Sequence, residues 1–283
     1  MRALETALEK RGLLKGPVDG FFDANTRAAV QKLERANGWE DDGVVGMRVW
    51  RTLVDVAATP DKKKPSQFKI ITSNLKRSMS WEATARELDK LLRTKPDAIG
   101  FQEFYDRDLG RLKHYLARRG YGVNLETDVP VAYNKQRFEL VAENSRQFTP
   151  RTDWNPPRYG NWVALRDKKT GALNVVTNTH LTQQIRIPRN KRAHEEQVKE
   201  LAVLLRDLKR RFGDDANYFL TGDMNTAKLE YLKPLLKGTG LRGVRVRNSS
   251  VIDWIFAETP AKQKRGIETA SDHDSILAVF KTK

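Results

Sequence analysis

The sequence contains no cysteine among its 283 residues and only four histidines. The lack of cysteine excludes a disulfide framework, a zinc-thiolate site and a thiol nucleophile. No apolar stretch approaches the roughly 20 residues of a membrane-spanning helix, so we expect no membrane span. Residues 1–5 lack the apolar core of a secretory signal. If the protein acts outside a cell, we expect that its signal was removed or that another export route exists.

Acidic residues are the minority among the charged ones. The chain has 36 Asp and Glu against 52 Lys and Arg, which gives a net charge of +16. Residues 1–57 hold nine charges of each sign, so the whole excess lies in residues 58–283. A basic excess of this size predicts a polyanionic partner, most often nucleic acid, with an anionic envelope or membrane surface as the alternative.

Prolines number only 11, and two of them flank a run of three lysines. This segment, residues 58–67, has no periodic apolar residues and predicts a linker. We therefore expect two domains, residues 1–57 and residues 68–283. The first domain is too small to be an enzyme.

Apolar residues of the first domain recur at helical spacing in three segments. These are Leu4 and Leu8, then Ala29, Leu33 and Ala36, then Val49, Trp50 and Leu53. Asp23 or Asn25 can cap the second segment. The pattern predicts a compact unit of three helices.

The second domain alternates helical segments with runs of strand length. Residues 81–92, 106–119 and 191–211 have helical character, and residues 161–165 and 173–179 form a predicted hairpin around a Gly-containing turn. Mixed hairpins and helices predict an α/β fold of two packed, largely antiparallel sheets flanked by helices.

Five polar signatures each follow an apolar run of strand length in the second domain. They are Asn74, Gln102-Glu103, Thr179-His180, Gly222-Asp223-Met224-Asn225 and Ser271-Asp272-His273. Carboxylate and amide oxygens suit Mg²⁺, and together with imidazoles they can build a metal-assisted site for cleaving phosphate esters.

For two of these signatures, the spacing predicts where the side chains point. Glu103 follows Ile99 and Phe101 at period two, so we expect it on their side of the strand, beyond the apolar stretch. Asp223 and Asn225 are two residues apart and are expected to point into one cleft. Taken alone, the first pattern also fits a solvated strand end, and the second fits a turn that closes a strand.

Asp253 lies inside the apolar run 251–256, where a carboxylate is costly to bury unless it is paired. His273 is the candidate partner, because an Asp-held imidazole is fixed in one tautomer and becomes a better general base. An Asp that caps a turn or binds an Arg is the alternative. His114 and His194 lie in charged helical stretches and are expected at the surface.

In order and spacing, these signatures make residues 68–283 resemble the endonuclease/exonuclease/phosphatase superfamily. That superfamily includes deoxyribonuclease I, abasic-site endonucleases, inositol-polyphosphate phosphatases and bacterial sphingomyelinases. The resemblance implies a four-layer α/β sandwich with the site at one end of the sheets. It also implies water-mediated hydrolysis without a covalent enzyme intermediate.

The resemblance carries roles to individual residues. Glu103, Asn74 and Asp272 would hold Mg²⁺ or Mn²⁺, and His273 backed by Asp253 would be the general base. Asp223 and Asn225 would orient the attacking water and hold a phosphate oxygen, and His180 would contact the scissile phosphate or the leaving group. Three further residues are candidates for binding substrate: Asn178, on the side of His180, and Tyr133 and Arg158, where relatives place phosphate contacts.

The first domain resembles the type 1 peptidoglycan-binding domain through its paired motifs, which centre on Asp19-Gly20 and Asp42-Gly43. It departs from that family at Phe22-Asp23 and Leu33-Glu34. The resemblance implies that residues 1–57 bind peptidoglycan. A helical module that only docks on another protein surface is the alternative.

Together these features predict a monomeric, divalent-metal-dependent nuclease with low sequence preference, acting on DNA rather than RNA at a bacterial envelope. A cytoplasmic or phage-encoded protein is the alternative origin. One alternative function is a phosphomonoesterase or a phospholipid phosphodiesterase, for which residues 154–157 are the nearest candidate for an apolar membrane hairpin. Another is an inactive wall-binding protein, which the retained set of histidines and carboxylates disfavours.

Overall fold

The computed structural model describes residues 2–54, 66–104, 106–152, 156–183, 185–245 and 252–283. The chain divides into two compact units, Met1–Lys63 and Lys64–Lys283. Most of the predicted linker, together with residues 154 and 155 of the candidate membrane hairpin, lies outside the described residues. No helix within the described ranges is long and apolar enough to cross a membrane.

The first unit contains the three predicted helices, α1 Arg2–Lys10, α2 Ala24–Ala36 and α3 Met47–Val54. Asp23 caps α2 by accepting a hydrogen bond from the backbone nitrogen of Thr26 at 2.8 Å, whereas Asn25 is already inside the helix. The core is formed by Leu4, Leu8, Leu14, Ala29, Val30, Leu33, Val49 and Leu53. Ala36 does not join it, because the last residue of α2 lies beyond the end of the core and is exposed.

The second unit has two six-stranded sheets. The first has the order β11-β12-β1-β2-β4-β3 and the second β5-β6-β7-β8-β10-β9. The strands are β1 Gln67–Asn74, β2 Ala98–Gln102, β3 Tyr121–Asn124, β4 Val131–Asn134, β5 Phe138–Thr149, β6 Arg158–Asp167, β7 Leu173–His180, β8 Asn217–Asp223, β9 Arg242–Val244, β10 Asp253–Ala257, β11 Gln263–Ile267 and β12 Ser275–Lys281. The helices are α4 Trp81–Arg93, α5 Asp106–Ala117, α6 Pro188–Phe212 and α7 Lys233–Leu236, with a short 3₁₀ helix Leu229–Leu232 before α7.

An apolar core fills the space between the two sheets. Phe68 of β1 stacks on Phe219 of β8 at 4.5 Å between ring centroids, and Ile70, Val176 and Ile255 belong to the same cluster. Because side chains alternate along a strand, the neighbouring residues of each strand point to the outer faces. There they meet the helices.

Helices cover both outer faces. A second apolar cluster joins α4 and α5 to the first sheet, with Leu88 and Leu112 against Ile99. On the second sheet, Phe212 of α6 packs edge to face on Trp162 at 5.8 Å. The order helix, sheet, sheet, helix confirms the predicted four-layer sandwich. α6 begins at Pro188, three residues earlier than predicted, because proline fits the first turn of a helix.

Candidate active site

The central strands of both sheets end at one edge of the sandwich. β1 and β2 are parallel, with Asn74 paired with Gln102, and β7 and β8 are parallel, with His180 paired with Asp223. β10 starts where antiparallel β8 ends, so Asp253 lies directly opposite Asp223. Asp253 is therefore the first residue of its strand, and the apolar run delivers its carboxylate to the edge rather than to the core.

The inward face of each central strand changes from apolar to polar toward this edge. The series are Phe68, Ile70, Thr72 and Asn74 in β1, Ala98, Gly100 and Gln102 in β2, Val176, Asn178 and His180 in β7, and Phe219, Thr221 and Asp223 in β8. The same alternation therefore fills the core and places the polar residues.

Two carboxylates and two imidazoles form the centre of the site. Asp223 and Asp253 are 2% and 1% exposed. His273 donates from Nδ1 to Oδ2 of Asp253 at 2.8 Å, and the same nitrogen is 3.9 Å from Oδ2 of Asp223. Nε2 of His180 lies 3.6 Å from that oxygen. The structure thus brings together four of the predicted residues, including the predicted pair of Asp253 and His273.

The protonation of this cluster follows from burial and charge. Burial and the neighbouring Asp253 raise the pKa of Asp223 to about 7. Burial disfavours a charged His273, but the hydrogen bond and the negative charge of Asp253 outweigh it and raise the pKa of His273 to about 9. Burial and the nearby cation of Arg158 hold the pKa of His180 well below its usual range. His180 is therefore neutral at neutral pH.

The end of β8 and the loop after it are held by close backbone contacts. A Cβ atom on Gly222 would lie 2.4 Å from the carbonyl oxygen of Thr179, so only glycine fits there. Asn225 has a left-handed φ of 49° and donates from its backbone nitrogen to Oδ1 of Asp223 at 2.8 Å. Its Nδ2 donates to the carbonyl of Leu181 at 2.8 Å. Asn225 thus orients the carboxylate of Asp223 and joins two loops.

Glu103 reaches the site because its backbone is not in a strand conformation. β2 ends at Gln102, and Glu103 has a φ of 67°, an uncommon conformation that persists where surrounding contacts enforce it. The expected alternation with Ile99 and Phe101 is therefore wrong at this residue. Instead, Glu103 accepts from Nδ2 of Asn74 at 3.4 Å and from the backbone nitrogen of Arg77 at 3.0 Å.

Several oxygens at this edge fit a divalent cation. Nδ2 of Asn74 donates to Oδ2 of Asp223 at 3.1 Å, whereas Oδ1 of Asn74 and Oδ1 of Asp253 are buried without a partner among the described residues. A buried acceptor without a partner costs free energy. Mg²⁺ and Mn²⁺ prefer such oxygens together with carboxylates. Glu103 and Asn74 are therefore suited to hold such an ion, beside the cluster of Asp223, Asp253 and His273, whose ligand atoms lie within 4.8 Å of one another.

Asp272, the third predicted metal ligand, lies at the rim of the site. Its side chain is 54% exposed and pairs with Nζ of Lys76 at 3.1 Å. Partial burial raises the pKa of Asp272, but the bond from Lys76, the backbone hydrogen bond and the positive charges of His273 and Lys76 together outweigh it, so that the pKa is lowered. The lysine that follows β1 thus holds this carboxylate at the rim, and the structure does not bring it into the buried cluster.

Asn178 is enclosed between the sheets instead of facing the cleft. Its Nδ2 donates to the carbonyls of Phe101, Val129 and Pro130, and its Oδ1 accepts from Gln102 at 2.7 Å and from Thr221 at 3.0 Å. With all its hydrogen-bonding capacity used, Asn178 neither orients His180 nor is available to substrate. It joins the two sheets beneath the site.

Tyr133 and Arg158, the two other residues predicted to bind substrate, lie in different parts of the second unit. Tyr133 pairs with Ala98 at the opposite end of β2 and belongs to the core between the sheets, so the structure does not bring it to the site. Arg158 is only 4% exposed, and its Nε and Nη1 are buried without a partner among the described residues. It is close enough to His180 to lower the pKa of that imidazole. A buried cation of this kind suits an anionic substrate.

His194 lies in the interior instead of at its predicted surface position. His114 is exposed as expected, but His194 is 1% exposed, and its Nε2 donates to the carbonyl of Met224 at 2.8 Å. The prediction of a surface position is wrong because a charged helical stretch still has one buried face. The repeat of Asn190, His194 and Gln197 at helical spacing was the available signal.

The fold is shared with solved structures. An endonuclease/exonuclease/phosphatase family protein from Bacteroides thetaiotaomicron is 17% identical with a TM-score of 0.62, over 78% of this chain and 96% of that one. D. rerio TDP2 complexed with a single-strand DNA product is 20% identical with a TM-score of 0.60, over 77% and 100%. A mannosyl-6-phosphatase from Bacteroides thetaiotaomicron is 16% identical with a TM-score of 0.59, over 75% and 99%.

Family models match both units. Residues 1–53 match the peptidoglycan binding domain, and no curated protein sequence matches the chain. Residues 71–273, well over half of the chain, match the Endonuclease/Exonuclease/phosphatase family and contain Glu103, the carboxylate pair and both imidazoles of the site. The chain therefore belongs to the Endonuclease/Exonuclease/phosphatase family.

Proposed function

We propose that the protein is a divalent-metal-dependent phosphodiesterase that cleaves DNA with low sequence preference. The observation that carries this proposal is the buried cluster of Asp223, Asp253 and His273 beside Glu103 and the unpartnered oxygen of Asn74. Paired carboxylates, an Asp-held imidazole and oxygen ligands are the parts that metal-assisted attack of water on phosphorus requires.

Glu103 and Oδ1 of Asn74 would hold Mg²⁺ or Mn²⁺. Such a cation supplies positive charge that offsets the charge developing on phosphate oxygens and lowers the proton affinity of the nearby His273.

The other residues act on water and phosphate. The bond between Nδ1 of His273 and Asp253 leaves Nε2 to take the proton of the attacking water. Asp223, held by Asn74 and by the backbone of Asn225, orients that water. Arg158 and neutral His180 lie together and would face the phosphate and the leaving group. No covalent bond to the protein forms.

Basic side chains favour a long polyanion as substrate. The loop and helix start at residues 186–192 expose Arg186, Arg189, Lys191 and Arg192, and the edge strands expose Arg242, Lys264 and Arg265. The similar structure of D. rerio TDP2 carries a single-strand DNA product, which supports nucleic acid, whereas the similar mannosyl-6-phosphatase supports the alternative of a phosphomonoesterase.

Plasmid DNA with Mg²⁺ tests the proposal directly. We expect the wild-type protein to nick and degrade the plasmid, and to hydrolyse bis(p-nitrophenyl) phosphate faster than p-nitrophenyl phosphate. The reverse preference with intact plasmid would establish the phosphomonoesterase instead. An Asp253→Asn preparation controls for a contaminating nuclease.

Binding to DNA should depend strongly on salt. Each neutralised phosphate contributes about −0.9 to the slope of log K against log salt, so about five contacts weaken binding roughly several-hundredfold between 50 and 200 mM salt. Fluorescence anisotropy with labelled DNA duplexes of unrelated sequence and the Asp253→Asn variant measures this slope. An affinity that is flat in salt, or that differs widely between sequences, would contradict the proposed substrate.

A second proposal concerns residues 2–54, where two turns are built alike. Oδ1 of Asp19 accepts from the nitrogen of Phe21 and buried Glu5 accepts from Gly20. The second turn repeats both bonds. Oδ1 of Asp42 accepts from the nitrogen of Val44, and Glu34 accepts from the nitrogen of Gly43. The turns present Phe21 and Val44, which are 72% and 62% exposed. Exposed apolar side chains on paired turns suit an interaction site, and we infer that they contact peptidoglycan and place the enzyme at a bacterial envelope.

Pelleting with purified sacculi tests this second proposal. In about 0.5 M salt, which screens the basic unit, we expect the full chain to sediment with sacculi and the Phe21→Ser, Val44→Ser double variant to remain in the supernatant. An Ile187→Ser, Leu229→Ser variant, altered at exposed apolar residues of the other unit, is the matched control and should still sediment. If the full chain stays in solution, the first unit does not target the wall.

A further inference from the structure

Helix α6 begins with a buried polar face. Asn190, His194 and Gln197 are spaced by four and three residues, so they share one side of the helix, and the same side continues as Leu201 and Leu208. The three polar side chains are 8%, 1% and 0% exposed. Burying them costs free energy unless each has a hydrogen-bond partner. We define these three residues as the polar face of α6.

The middle residue of this face bonds to the loop after β8. Nε2 of His194 donates to the carbonyl of Met224 at 2.8 Å, and Met224 lies between Asp223 and Asn225 in sequence. The backbone nitrogen of Met224 donates to the carbonyl of Ile252 at 2.9 Å. His194 and the residue before Asp253 therefore hold the peptide groups that set the direction of the Asp223 and Asn225 side chains.

The other two residues bond to the loop after β7. Oε1 of Gln197 accepts from the backbone nitrogen of Thr182 at 2.9 Å, and its Nε2 donates to Oγ1 of Thr182 at 2.8 Å. Nδ2 of Asn190 donates to the carbonyl of Gln183 at 3.1 Å. This loop follows His180 directly, so α6 fixes the chain on the far side of that imidazole.

The two loops also bond to each other. The nitrogen of Leu181 donates to the carbonyl of Asp223 at 3.0 Å, and Nδ2 of Asn225 donates back to the carbonyl of Leu181 at 2.8 Å. The two loops are therefore joined by hydrogen bonds, and the polar face of α6 holds both of them.

We infer that the polar face of α6 positions the two loops that carry His180, Asp223 and Asn225, with His194 as the principal positioning residue. The inference rests on the proposed phosphodiesterase function. It assigns no contact with substrate to the polar face of α6. Because reaction rates depend on placement of reacting groups to within about 1 Å, loosening the loops lowers kcat while substrate affinity changes little.

The test compares three variants of the full chain. His194→Leu removes the donor to Met224, His194→Gln keeps a donor on a side chain of related length, and Leu205→Ala truncates a buried apolar residue of the same helix that contacts neither loop through a hydrogen bond. We expect His194→Leu to lower kcat on bis(p-nitrophenyl) phosphate by about tenfold or more with KM within about twofold. His194→Gln should recover kcat to within about threefold of wild type, and Leu205→Ala should lower the melting temperature without lowering kcat.

Amide hydrogen exchange gives a readout that is independent of activity. His194→Leu should accelerate exchange in peptides covering residues 181–183 and 223–226, and Leu205→Ala should not do so selectively. Unchanged loop exchange in His194→Leu, or faster exchange with unchanged kcat, overturns the inference. A wild-type protein that hydrolyses no phosphodiester overturns the proposed function, a result that these variants cannot mimic.

Discussion

We expect His273→Ala to lower kcat on a phosphodiester by at least about 10²-fold, the usual contribution of a positioned general base. The imidazole donates from Nδ1 to Asp253 at 2.8 Å, which leaves Nε2 as the nitrogen that can accept a proton from water. Steady-state kinetics with bis(p-nitrophenyl) phosphate at saturating Mg²⁺ measures the loss. His114→Ala, at an exposed position on α5, is the matched control and should retain full activity.

Asp253→Asn should also lower kcat by about 10²-fold or more, and the double variant should lose little beyond the worse single one. The two residues act as one unit, so their effects should be far from additive. Fully additive losses would show that Asp253 and His273 work independently. Because Asp253 is buried, circular dichroism of each variant must show an intact fold before the kinetics are compared.

The sequence predicted the architecture because period and length carry that information. Apolar runs of four to six residues mark the central strands, and a polar residue at the end of each run marks the edge where the strands stop. Parallel pairing of β1 with β2 and of β7 with β8 then brought Asn74, His180 and Asp223 together. The cluster was therefore predictable from strand ends, without knowledge of its distances.

Side chains placed by long-range contacts were less predictable. Asn178 has the strand position of a site residue, but its bonds to Gln102 and Thr221 depend on how two sheets pack. Asp272 is next to His273 in sequence, yet its carboxylate is held by Lys76 from another strand end. Neither partner is visible from spacing along the chain, because each contact spans the packed layers of the fold.

Backbone conformation and helix burial account for the remaining errors. The prediction that Glu103 lies on the same side of β2 as Ile99 and Phe101 is wrong, because strand alternation fails at a residue with a φ of 67°. The prediction of a surface position for His194 rests on the charge of its neighbours, but α6 also has a buried face. A helical count of every third or fourth residue would have placed it beside Gln197 and Leu201, among the buried positions.

The metal proposal makes the second prediction of large effect. Glu103→Gln keeps the shape of the side chain but removes its charge, and divalent cations bind a neutral amide more weakly than a carboxylate. We expect the Mg²⁺ concentration for half-maximal activity to rise by about tenfold or more and kcat to fall by about 10²-fold, since the charge that offsets the phosphate is lost. Excess chelator should abolish activity of the wild-type protein, and Mg²⁺ or Mn²⁺ should restore it.

Asp272→Asn provides the matched control for Glu103→Gln. It removes a carboxylate of the same signature set, but one that is exposed and paired with Lys76, so activity and the Mg²⁺ requirement should stay within about threefold of wild type. Electron paramagnetic resonance of bound Mn²⁺ separates metal binding from catalysis, and only Glu103→Gln should weaken it. Equal losses in both variants would assign Asp272 to the metal and refute its rim position, whereas full cleavage of DNA in excess chelator would remove the metal from the mechanism altogether.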